Sequence, residues 1–151
     1  MLADDCRAQL CRLIPIFGVG RQRQAILDAF AALTGESLAI EPWQRSPERS
    51  RINADGTPFQ IALDLRDGMP PALQFLGEAG RQDASAADRR SASLAALRAM
   101  ASVCGVDREA EAVAPLLGTL VAAPRHAAVP AMLIWFAVRF GPDRPPALTA
   151  Y

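Results

Sequence analysis

The run Phe59-Gln60-Ile61-Ala62-Leu63-Asp64-Leu65, with Arg66-Asp67-Gly68-Met69-Pro70 and then Ala72-Leu73-Gln74-Phe75-Leu76-Gly77-Glu78 behind it, decides the fold. In the first part the large apolar residues alternate strictly with other types. A period of two predicts a strand, with Phe59, Ile61, Leu63 and Leu65 on one face and Gln60, Ala62 and Asp64 on the other. Arg66 to Pro70 is turn chemistry. In the last part Leu73 and Phe75 share one face, and Gln74, Leu76 and Glu78 share the other. The whole reads as a β-hairpin.

Helical periods flank this hairpin. Before it, Asp5 to Ile14 places Cys6, Leu10, Leu13 and Ile14 on one face, with Asp4 or Asp5 as cap and Pro15 and Gly18 as its close. Arg21 to Leu33 repeats Ile26, Leu27, Phe30 and Leu33 at helical spacing and stops at Gly35. Glu41 to Arg51, with Pro42, Pro47 and several Arg, reads as a surface loop. After the hairpin, Asp83 to Ser102 is a helix with Leu94, Leu97 and Ala101 on a face, Asp83 or Ser85 as cap and Gly105 as stop. Asp107 opens another, with Val113, Leu116, Leu117 and Leu120 as its stripe and a kink or restart at Pro115. Ala131 to Arg139 is a strand apolar on both faces, predicted to be covered on both sides. After the loop from Gly141 to Pro146, Ala147 to Tyr151 is a short strand with Ala147, Thr149 and Tyr151 on one face. The order is helices, two strands, helices, two strands. That is not a βαβ alternation, so the class is α+β: antiparallel strands with helices on one side. Four strands without closure leave two open edges that invite pairing.

The composition bounds the rest. A chain of 151 residues is one domain, 1–151, and long enough for a core. Apolar residues make up 51% and charged residues 21%, a globular balance. A net charge of +0 removes the electrostatic footprint of a nucleic-acid binder. Every basic residue is Arg, so Schiff-base, Walker and general-base lysines are excluded. Cys6, Cys11 and Cys104 form no Cys-x-x-Cys pair and read as free thiols in a reducing compartment. The lone His126 is too little for a zinc site. The N-terminus is acidic where a signal peptide is basic. The longest apolar stretch, Ala127 to Val138, is broken by Pro130 and too short to span a bilayer. These features predict a cytoplasmic protein with no membrane partner and no cofactor.

Other patterns are weaker. Phe17-Gly18-Val19-Gly20-Arg21 resembles a phosphate-cradling turn at a helix start but matches neither glycine fingerprint, and an inter-helix turn explains it. Arg89 and Arg90 read as a solvated helix face. Glu36, Glu41, Asp64 and Glu78 are candidate paired carboxylates of unknown separation. Ser91 and Ser93 have no nucleophile elbow around them.

Asn53-Ala54-Asp55-Gly56-Thr57-Pro58-Phe59-Gln60, Pro71-Ala72-Leu73-Gln74-Phe75-Leu76-Gly77-Glu78 and Pro146-Ala147-Leu148-Thr149-Ala150-Tyr151 together carry a resemblance. In order, they are similar to the N-terminal part of the dimethylallyltryptophan-synthase-like aromatic prenyltransferases, whose repeated αββα units give the ABBA fold. The family has Asp-x-(Thr/Ser)-Pro-x-Glu at the first segment, an Arg in the second and Lys-x-Tyr in the third. The resemblance implies two αββα-like units of an incomplete ABBA barrel. It implies metal-independent transfer of a prenyl group from a prenyl diphosphate to an indole or other aromatic acceptor. It places Gln60 at the catalytic carboxylate position and Gln74, Thr149 and Tyr151 at substrate-binding positions, with no metal. Gln60 replaces Glu, Gln74 replaces Arg and Thr149 replaces Lys, while Tyr151 keeps its identity. An amide orients an acceptor N–H but is no general base near neutral pH.

Three expectations follow from different classes. The chain is a split, truncated or degenerate prenyltransferase-like enzyme that needs a complementing chain or a second copy. Or it is a non-catalytic relative that binds a small aromatic or hydrophobic molecule or a full-length enzyme. Or it is an unrelated α+β interaction module that self-associates through its sheet edges as a homo-oligomer.

Overall fold

Alternation and capping place the elements. The computed structural model describes residues 2–35, 37–38, 57–81, 84–122 and 134–151. They form α1 (Leu2–Ile16), a 3₁₀ turn (Gly20–Gln22), α2 (Arg23–Thr34), β1 (Phe59–Asp64), β2 (Ala72–Glu78), α3 (Ala86–Cys104), α4 (Asp107–Ala122), β3 (Trp135–Phe140) and β4 (Ala147–Ala150). The loop 41–51, the segment 53–56, His126, Glu36 and residues 131–133 lie outside the described residues.

The strands form one antiparallel sheet in the order β1-β2-β3-β4. The class is α+β, as expected. Register fixes the two faces, because residues directly opposite across a ladder point the same way. Phe59, Ile61 and Leu63 of β1 pair with Gly77, Phe75 and Leu73 of β2. Leu73, Phe75 and Gly77 pair in turn with Phe140, Val138 and Phe136 of β3. This face is the floor of the core. Phe75, Phe136, Val138 and Phe140 are fully buried on it.

The helices cover that floor. Leu10 and Ile14 from α1, Ile26, Phe30 and Leu33 from α2, and Leu97, Met100 and Ala101 from α3 join one buried cluster with the strand residues. Phe30 meets Phe59 edge-on at 5.2 Å between ring centroids, and Phe75 stacks with Phe140 at 5.9 Å. Such offset and T-shaped contacts add to the apolar area that the rings bury. Gly77 lets α2 approach, since a Cβ there would stand 3.1 Å from Leu33 Cδ2 and 3.0 Å from the Pro58 carbonyl oxygen.

Several expectations change with packing. Leu63 and Leu65 alternate in step with the buried Phe59, but they are 54% and 71% exposed. Among the described residues β1 has a strand neighbour on one side only. In α4 the buried positions are Ala110 and Ala114 with Leu117 behind them, while Val113 and Leu116 face outward. Small residues at i and i+4 let α4 lie close on α3. Arg89 is buried, not solvated, and only Arg90 stays exposed. Pro15 and Pro115 stand inside α1 and α4 instead of ending them. Asp4 and Asp5 lie in the first turn of α1, where their charge suits the helix dipole, and do not precede it.

The glycine turn after α1 is a C-terminal cap. Gly18 adopts φ +66°. Its N–H donates to the Pro15 carbonyl at 3.2 Å, and the Val19 N–H donates to the Ile14 carbonyl at 3.1 Å. This is the Schellman arrangement. Both amides are spent on α1, so they cradle no phosphate.

Candidate functional site

The second sheet face carries the candidate residues. Gln60 pairs with Leu76, Leu76 with Ala137, and Ala137 with Thr149. That row crosses the whole sheet. The adjacent row toward the hairpin turns is Ala62, Gln74, Arg139 and Ala147. On the other side stand Glu78 and Trp135, and Tyr151 exchanges both backbone hydrogen bonds with Trp135, at 2.8 and 3.2 Å. Gln60, Gln74, Thr149 and Tyr151 therefore point from one face, opposite the helix-covered face. Strand alternation alone accounts for this, given the register.

They share a face without forming a tight cluster. Gln60 stands on β1, while Thr149 stands on β4 at the other side of the described sheet and Tyr151 directly follows that strand. Three strand spacings separate the two ends of the row, roughly 14 Å. Gln74 alone of the four lies on a central strand. Small and apolar side chains, Leu76 and Ala137 above all, floor the middle. Gln60, Thr149 and Tyr151 are exposed, and Gln74 is half-buried.

Two polar clusters, around Glu78 and Asp64, stand on this face. The Trp135 indole N–H donates to Glu78 Oε1 at 2.8 Å. Glu78 is almost fully buried, at 1% exposure. Arg139 Nη1 donates to Asp64 Oδ2 at 2.7 Å, and Arg66 Nε reaches the same carboxylate at 3.0 Å. Hydrogen bonds from Arg139 and then Arg66 hold the Asp64 carboxyl below the usual carboxylate range. Parity along Trp135-Phe136-Ala137-Val138-Arg139 already put Trp135 and Arg139 on one face. What was missing was the partner strand. Arg139 lies directly across from Gln74, so a cation stands beside the position where the resemblance expects one.

Asp64 and Glu78 do not pair. They lie near opposite ends of the sheet, about six residues or roughly 20 Å apart. Cys6, Cys11 and Cys104 are free thiols. Burial pushes the Cys104 thiol up to about 11, which keeps it protonated and unreactive at neutral pH. Burial and the neighbouring Asp5 charge likewise raise Cys6. Ser93 is buried, with no base beside it in the described hydrogen bonds. Among the described residues no helix is long and apolar enough to cross a membrane. Searches of protein-family models, curated proteins and solved structures return no match to this chain.

Proposed function

We propose that the open face of this sheet is one wall of a chamber in which a prenyl diphosphate meets an aromatic acceptor, as the resemblance to aromatic prenyltransferases implies. One observation carries the reading. Gln60, Gln74, Thr149 and Tyr151, the positions drawn from three separate segments, stand on a single face away from the helices. Trp135 and Tyr151 are cross-strand neighbours there, and aromatic faces stabilise an allylic cation.

In this reaction the C–O bond of the allylic diphosphate breaks, and its electron pair leaves with the diphosphate. The acceptor ring then forms a C–C bond to the cation and loses a proton. Gln60 orients the acceptor N–H. Gln60 is an amide and Glu78, diagonal to it, is buried against the Trp135 indole, so in this reading the proton leaves with the diphosphate or to water. Among the described residues β1 and β4 each have one strand neighbour, and a second copy or a complementing chain covers those edges in this reading.

The test is transfer from an allylic diphosphate to tryptophan or indole with EDTA present, read by mass spectrometry. Prenylated acceptor is expected, and Tyr151→Ala lowers its yield about tenfold, the scale of a lost cation–π contact in a dry site. Sedimentation at micromolar concentration is expected to show an assembly larger than one chain. The amide at Gln60 favours a second reading, in which the face binds an aromatic molecule without turnover. Saturable indole binding with no product supports that one, and no binding at all removes both.

A further inference from the structure

We propose that the turn end of the sheet, beside the face that carries Gln74, holds a cleft that binds a phosphate-type oxyanion. Antiparallel topology brings the segments 65–71 and 141–146 to the same end of the sheet, because β2 begins where β3 ends. Between them lies a cleft of about 100 Å³ whose lining includes Asp64, Arg66, Arg139, Arg144, Pro70 and Pro142. The three arginines come from three different segments: the first turn, β3 and the second turn.

The charge of this lining is the reason to assign it an anion. The lining holds three arginines and two carboxylates, Asp64 and Asp143, so the cleft is net positive in a chain of zero net charge. Asp64 occupies only Nε of Arg66 and Nη1 of Arg139. Each guanidinium has five N–H donors, so most remain for a ligand. Arg144 makes no ion pair among the described residues and brings an uncommitted charge. Asp64 does two things. It repels an incoming anion, and it clamps two long flexible side chains in place before the anion arrives, which reduces the ordering cost of binding.

The second wall is also held. Gln22 Nε2 donates to the Gly141 carbonyl at 2.7 Å and to the Arg144 carbonyl at 3.4 Å, tying the turn to the helix layer. Pro142, Pro145 and Pro146 stiffen it further. Arginines brought to one cleft from three segments suit a tetrahedral anion with several oxygens better than a planar carboxylate with two. The site stands without the prenyl-transfer reading, since it uses none of Gln60, Gln74, Thr149 or Tyr151.

Inorganic phosphate is the probe, titrated into the full chain at low ionic strength by isothermal titration calorimetry. Saturable binding is expected in the millimolar range or tighter. Arg144→Gln and Arg66→Gln, both at exposed positions, each weaken it about tenfold, the loss of one charged hydrogen bond. Arg98→Gln, which removes an exposed arginine paired with Glu111 on another face, leaves it unchanged. Acetate at equal concentration does not displace phosphate. The proposal is overturned if phosphate shows no saturable binding, if Arg144→Gln binds like the wild type, if Arg98→Gln weakens binding equally, or if acetate competes equally well. Phosphate binding without prenyl transfer leaves this site standing and removes only the other reading.

Discussion

Asp64 sits at the end of β1 with a guanidinium on either side, and its behaviour with pH follows from that placement. Hydrogen bonds from Arg139 and Arg66 lower its folded-state pKa below the ordinary value of 3.8. A depressed carboxylate stabilises the fold above its unfolded-state pKa and loses that contribution as pH falls through the folded value. The difference in unfolding temperature between the wild type and Asp64→Asn is therefore widest above about pH 4 and closes toward more acid conditions. A calorimetric series across that window checks it, and a gap independent of pH would show that the ion pairs contribute nothing. Residue identity and parity at this position were legible in the sequence. Its pairing with Arg139 was not, because Arg139 is 75 residues away along the chain.

Helix ends follow local chemistry closely. Ser85 caps α3 by accepting from the Asp88 N–H at 3.1 Å, and its hydroxyl donates to the Asp88 carboxylate at 2.7 Å. Ser85→Ala is expected to cost about 1 kcal/mol, seen as a lower urea midpoint with an unchanged slope, while Ser85→Thr keeps most of it. Gly105 closes the same helix at φ +69°, with the Val106 N–H returning to the Ala101 carbonyl at 2.9 Å. These signals span four or five residues, so the sequence carries them whole. The prolines mislead for the opposite reason. Pro115 removes one donor, yet the helix continues because Ala110, Ala114 and Leu117 hold its inner face against the core. The same packing turns Val113 and Leu116 outward, which apolar spacing alone does not reveal.

At the scale of the molecule, one aromatic cluster joins the helix layer to the sheet. Phe75 touches the rings of Phe30, Phe59 and Phe140, from α2, β1 and β3. Phe75→Ala is expected to destabilise the fold by about 3–5 kcal/mol, a large share of a domain's total stability. Denaturant unfolding by circular dichroism would show it as a lower midpoint for helix and strand signals together. Separate transitions would mean the layers fold independently. The sequence by itself determined the strands of the two hairpins, the Ser85 and Gly105 ends of α3 and which side chains share a face within each strand, because alternation and capping are steric rules acting over a few residues. Only the tertiary structure decided that β2 and β3 are neighbours. That pairing sets Arg139 against Gln74, seats the Trp135 indole on Glu78 and brings the two turns together around a cationic cleft. Two helices separate those strands along the chain, and no short-range pattern encodes a contact made across more than fifty residues.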